Sequence, residues 1–282
     1  MIAAPTLTTM LPTPAGWFPD PWNNAAVRFW DGRAWTSHTA WPGPAPVPPH
    51  PTLPIRAAWG AIVTLLVSVI ASRYLLAAIS GSEWPIAVYV AITAVVGYVP
   101  ALLWCWYASR EWGTGRFRTD VGFGIRWADI GWGPLTWIAC VIAEVIVGVV
   151  VVSLKIPFTS NVKDVSDLHG DRGYIISLLV LAVVAAPIAE EIVFRGVVLR
   201  GLLSRNSVVF AVGLQALLFG MAHFDPARGM GNIGLIMVLS GVGAVLGGAA
   251  YLVRRLAPTM IAHAILNGVA MAIALSGWAP NR

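Results

Sequence analysis

Glu190, Glu191 and Arg195 stand together in "APIAEEIVFRG", inside an apolar run that begins near Tyr174. Each ionisable group at the middle of a bilayer costs about 2.5–3.5 kcal/mol on insertion scales, so three so close together need partners. Glu191 and Arg195 are four apart, neighbours on one helical face with acid ahead of base, the favourable order. Glu190 points about 100° away from Glu191, so the second carboxylate faces something else. Pro187 removes a backbone donor and frees a carbonyl near Val183. Such breaks are tolerated where a helix lines protein or water, so a polar cavity is expected beside Glu190.

Two histidines and an amide follow. "FGMAH" sets Phe219 and His223 four apart, and "HAILN" does the same for His263 and Asn267. A lone intramembrane histidine often closes an interhelical hydrogen bond. A carboxylate, two imidazoles and an amide from three spans point instead to one shared cavity. No serine or cysteine carries a nucleophile signature: Ser204 and Ser207 lie in a turn, and Ser240 precedes Gly241 in a glycine-rich helix. Water is then the nucleophile and hydrolysis the reaction class. Glu190 can take its proton and His223 can orient it. His263 and Asn267 can hydrogen-bond a tetrahedral oxyanion. The same types admit an alternative in which Glu190, His223 and His263 hold Zn²⁺ with water in the open position, although no His-Glu-x-x-His run is present. Depth is a difficulty. Glu190 and His223 lie nearly equidistant from the turn near Asn206, but His263 follows the next turn by only a few residues. Either helices are broken and tilted, or the span ends differ from those below.

These residues need an apolar frame, and composition supplies one. The chain has 282 residues, 57% apolar and 11% charged, against about a quarter charged in soluble domains. The fold class is an all-α polytopic membrane protein with about seven transmembrane helices bundled around a polar cavity. The spans are near 57–80, 84–108, 131–153, 174–199, 207–223, 232–253 and 257–277. Arg56, then Arg110, Arg116, Arg118 and Arg126, then Arg200 and Arg205, then Arg254 and Arg255 fall in loops on one side. The other side holds Lys155, Lys163, Arg172 and Arg228, diluted by Asp164, Asp167, Asp171 and Asp225. This bias predicts a multi-pass protein of the cell membrane with a cytoplasmic N-terminus. It also accounts for the net charge of +5 without a nucleic-acid partner. Cys105 and Cys140 fall inside spans and read as small buried thiols.

Ahead of the helical domain, 57–282, come a small Trp-rich β module, 1–40, and a Pro-rich linker, 41–56. "VRFWDGRAWTSHT" alternates around Asp31-Gly32, which predicts a hairpin. Its aromatics either pack on one another or offer a protein partner a docking face.

The segment with Trp17, Phe18, Pro19, Asp20 and Pro21, then Trp30, Asp31, Gly32, Trp35, Thr36 and His38, resembles a short domain of unknown function found in actinobacterial membrane proteins. "EEIVFRG", "FGMAH" and "HAILN" resemble the motif set of the CPBP (Abi or CAAX) family of intramembrane proteases, over about 174–277. That resemblance implies an intramembrane endopeptidase of the glutamate type, acting on a membrane-associated peptide or protein within the lipid bilayer and requiring no cofactor. It carries Glu190 and His223 over as the water-activating pair, His263 and Asn267 as the oxyanion pair, and Glu191 and Arg195 as supports. Zinc-dependent proteolysis and a non-catalytic immunity or scaffold role remain the alternatives. A proton-coupled transporter would show a second copy of the charged motif, and none is present.

Overall fold

The computed structural model describes residues 15–41, 53–162 and 172–276. Most of the expected linker, at 42–52, lies outside the described residues, as do Lys163, Asp164, Asp167 and Asp171. The chain divides into two units, Met1–Pro49 and His50–Arg282.

In the first unit, β1 (Gly16–Asp20), β2 (Asn23–Trp30) and β3 (Trp35–Ala40) form an antiparallel meander in the order β1-β2-β3. The expected hairpin is β2–β3. Its connection is longer than a two-residue turn: Asp31 Oδ1 accepts from the backbone N–H groups of Arg33 and Ala34, both at 2.7 Å, and Gly32 takes φ +95°. Trp35 gathers the aromatics, with ring centroids 5.4 Å from Trp30, 6.2 Å from Phe18 and 6.5 Å from Trp22. Arg28 pairs with Asp20 at 3.0 Å and lies over the Trp22 ring. Three short strands hold little apolar volume, so these edge-on rings and one ion pair stand in for a larger core.

The second unit is helical. Its long elements are α1 (Ile55–Ile79), α2 (Ile86–Trp112), α4 (Asp129–Ser153), α5 (Arg172–Leu203), α7 (Asn232–Val253) and α8 (Ala257–Leu275). Between them lie a short α3 (Phe117–Val121) and an apolar α6 (Val208–Met221). Six helices are long and apolar enough to cross a bilayer, and the chain is a multi-pass membrane protein. The fifth expected span is the exception: α6 has 14 residues, about 21 Å of rise, against a hydrocarbon core of about 30 Å.

Chain ends alternate between the two ends of the bundle. At one end Leu256 N–H donates to the Gly122 carbonyl at 3.0 Å, and Arg255 pairs with buried Asp129. Gly201 packs there against Ala58 and the Pro54 carbonyl. At the other end Thr159 N–H donates to Gly231, Gly234 N–H to Pro157, and Arg73 to Phe224 O. Despite its length, α6 therefore returns the chain to the second end.

From Glu191 to Leu202 every residue of α5 is buried. A helix apolar on all sides belongs inside a bundle, and the neighbours make room with small residues. Phe194, Val197, Val198 and Leu202 pack among Ala57, Ala58 and Ala61 of α1 and Ala101, Cys105 and Ala108 of α2. Lipid-facing surfaces carry the large side chains: Val63, Leu66 and Val67 on α1, and Ile142, Val145 and Val149 on α4, are all exposed. α6 meets α7 where Gly243 rests on the Ala216 backbone and Gly220 on Ile236 O and Ser240.

The Asp20–Arg28 pair generates a pH prediction for the β module. The hydrogen bond from Arg28, then that from the Trp22 backbone, hold the Asp20 carboxyl below its ordinary value of 3.8. The side chain is covered by its neighbours, but in so small a unit it is never far from solvent. A depressed carboxylate stabilises the fold above its unfolded pKa, and that contribution disappears as pH falls through the folded value. Hydrogen exchange over residues 16–40 of the whole chain is therefore expected to hold steady down to about pH 4 and to accelerate below it. Asp20→Asn should accelerate it at neutral pH and leave the helical unit unchanged.

Candidate active site

Two π turns set the register of α5: Leu181–Ala185 and Ile192–Val198. They bracket Pro187, Glu190 and Glu191. In the first, the Ala186 N–H donates to the carbonyl five residues back, on Leu181. Widened turns of this kind accumulate at functional sites, and they absorb the donor that Pro187 lacks. The Ala182 carbonyl is taken by Asn267 Nδ2 at 2.8 Å, one residue from the carbonyl expected to be free.

The buried centre is an ion cluster. Arg195 Nη1 donates to Glu191 Oε1 at 2.8 Å, both side chains having no exposure, and Nη2 reaches Gly243 O of α7 at 3.3 Å. The guanidinium also stacks over Phe219 of α6, 4.3 Å from the ring centroid. Glu191 Oε1 takes a second partner, His263 Nδ1 of α8, at 3.1 Å. One carboxylate thus joins α5 to α8, and one guanidinium joins it to α6 and α7. A bond from Nδ1–H to a carboxylate fixes which nitrogen of the imidazole points onward. That nitrogen, Nε2, lies 3.8 Å from Glu190 Oε2.

Glu190 faces the other way from Glu191, as the helical angle requires. Its Oε1 accepts the hydroxyl of Tyr98, from α2, at 2.7 Å, while Oε2 has no hydrogen-bond partner among the described residues. Tyr98 was invisible as a site residue: it stands in "GYVPALL", a span marked only by being apolar, and its partner is 92 positions away.

His223 sits past the end of α6, not within it, because the helix closes at Met221. The residue still folds back: Nδ1 lies 2.9 Å from Phe219 O, so this nitrogen is the donor and Nε2 is left for water or substrate. The Phe219 ring touches both imidazoles, with centroids 5.0 Å from His223 and 5.7 Å from His263.

Glu190, His223, His263 and Asn267 all line one cavity of about 200 Å³, with Phe219, Leu178, Ala182 and Leu266 among its walls. Glu191 and Arg195 lie behind it. Asn161 and Val162 also contribute, so the cavity lies toward the end of the bundle that holds the 154–162 loop. The depth difficulty resolves through the π turns, which break the straight register of α5, and through the early end of α6.

Glu190, His223 and His263 are ligand types that zinc accepts. Among the described residues no three His, Cys, Asp or Glu side chains are grouped to hold a metal ion.

Residues 172–269 match the family model described as type II CAAX prenyl endopeptidase Rce1-like. Residues 15–51 match a protein of unknown function (DUF2510). No curated protein and no solved structure matches the chain. Both resemblances read from the motifs are thereby borne out, the 172–269 match being to a family described as endopeptidases.

The buried pair yields a stability prediction. Arg195→Met strands Glu191 without its cation, a loss of about 3–5 kcal/mol for pairs of this kind. Thermal unfolding in detergent should show it, and adding Glu191→Gln to the same chain should recover part of the loss.

Proposed function

We propose that the helical unit is an intramembrane endopeptidase that hydrolyses a peptide bond of a membrane-associated peptide or protein, with water activated by Glu190. One observation carries this reading: four polar side chains from three separate stretches line a single apolar-walled cavity, and Glu190 Oε2 is an acceptor there with no hydrogen-bond partner among the described residues. The Rce1-like match over residues 172–269 supports it independently.

Tyr98 engages Oε1 and so aims Oε2 at the cavity. A water on Oε2 loses its proton to Glu190 as its oxygen adds to the scissile carbonyl. Nε2 of His223 accepts the water's second hydrogen and orients it. The negative charge that forms on the carbonyl oxygen is met by His263, protonated on Nε2 and sustained by Glu191, and by the second N–H of the Asn267 amide. Asn267 keeps its first N–H on Ala182 O throughout. Collapse of the intermediate breaks the C–N bond, and Glu190 returns its proton to the leaving amine.

The surrounding walls, Leu178, Leu239, Val242 and Met271, suit small apolar side chains beside the scissile bond. The arginine bias supports a cytoplasmic N-terminus, which puts this cavity toward the opposite membrane face.

Peptidase assays in nanodiscs against membrane-anchored peptides test the proposal. Glu190→Gln is expected to lower kcat by about 10²–10⁴. Tyr98→Phe should lower it by roughly 10–100-fold, the worth of one hydrogen bond to a charged group. A chelator should leave the wild type unaffected. Loss on chelation with recovery on Zn²⁺ would move the same residues to metal ligands, and cleavage that survives Glu190→Gln would remove Glu190 from the chemistry.

A further inference from the structure

The arginine-rich end of the bundle takes no part in this hydrolysis, yet it is built around a second pair of cavities. One, of about 270 Å³, is lined by Arg118, Arg126, Arg254 and Arg255. It shares Phe123, Gly124 and Ile125 with an apolar groove of about 430 Å³. That groove runs between Val183, Pro187 and Ile188 of α5 and Met260 and Ala264 of α8. A cationic mouth therefore opens directly onto an apolar slot.

The positive charge there exceeds what nearby carboxylates can balance. Asp129 is held by Arg255 and by the Arg126 backbone N–H. Asp120 is buried against Ser109 and Thr114. Arg118 and Arg126 make no ion pair among the described residues, and Arg118 merely covers the Phe123 ring. Behind them Arg200 is buried, with Nη2 3.5 Å from Arg254 O and Nη1 without a hydrogen-bond partner among the described residues. Gly122 suits this spot through its φ of +75°, and it leaves room for the Arg200 guanidinium, which a Cβ would have to displace.

The same loop bears the mark of a bilayer interface. Ile125 and Trp127 are 76% and 89% exposed, and Trp132 stands out beside them. Trp and aliphatic side chains beside arginines belong at the headgroup level.

We propose that this double cavity binds one anionic phospholipid, its phosphate among Arg118, Arg126 and Arg254 and one acyl chain in the groove along α5 and α8. Arginine pairs with phosphate in two-pronged hydrogen bonds, and basic pockets between transmembrane helices are suited to anionic headgroups. A free inorganic anion would satisfy the arginines but leave the groove without a ligand.

The test uses the full chain in detergent with equal amounts of phosphatidylglycerol and phosphatidylcholine. Native mass spectrometry reads bound lipid, and thermal unfolding reads stabilisation. Wild type should retain phosphatidylglycerol preferentially, and Arg118→Gln with Arg126→Gln should weaken that preference by roughly 30-fold. An unchanged melting curve of this variant in phosphatidylcholine alone confirms that it folds. Equal retention of the two lipids by wild type, or an undiminished preference in the variant, overturns the proposal. Stabilisation by inorganic phosphate as large as that by the lipid overturns it too, since the groove then contributes nothing.

Discussion

A charge taken out of water must be matched where it stands, and in this bundle that requirement falls on Arg195 and Glu191. Both are fully buried, and the low dielectric around them makes a lone charge far more costly than at a surface. Every means of meeting the demand recruits another helix. His263 of α8 shares the Glu191 oxygen, Gly243 of α7 offers a carbonyl, and Phe219 of α6 lays its ring under the guanidinium. The pair contributes less as adhesion than as a fixed point: four helices converge on it, and that arrangement brings Glu190, His223 and His263 to one cavity.

The sequence made much of the frame legible. All seven expected spans fall within a few residues of observed helices, the fifth on a helix too short to cross, because long apolar runs between arginine-bearing turns leave little freedom. The i, i+4 pairing of Glu191 with Arg195 follows from helical geometry alone. What was hidden has physical reasons. Tyr98 is one aromatic among many in an apolar span, and only its partner 92 residues away distinguishes it. The π turns depend on tertiary packing around Pro187 rather than on a local signal. His223 reads as helical by spacing, but Ala222 and His223 turn away, and the four-residue link to Phe219 is kept by a side chain instead. Asn267 shows the same limit, since its first hydrogen bond goes to a backbone carbonyl that only the π turn exposes.

α5 also acts as a partition. Ala182 and Glu190 line the polar cavity, while Val183, Pro187 and Ile188, their near neighbours in sequence, line the apolar groove. The wall between them is one helix thick. Its C-terminal half is buried on every side and its register is set by π turns, so a shift of this helix would be felt on both faces at once.

The short α6 has a consequence for the surrounding bilayer. It exposes Val209, Phe210, Leu217 and Met221 to lipid over a helix of 14 residues. A lipid-facing element some 9 Å shorter than the hydrocarbon core draws the leaflets toward one another at its flank, a response to hydrophobic mismatch. Headgroups and water are thereby drawn toward His223 at that flank. A peptide crossing the membrane would meet its aqueous boundary early there, with fewer backbone hydrogen bonds of its helix still shielded by lipid. For the hydrolysis proposed above, unwinding a segment at that flank would cost less than beneath a full hydrocarbon thickness.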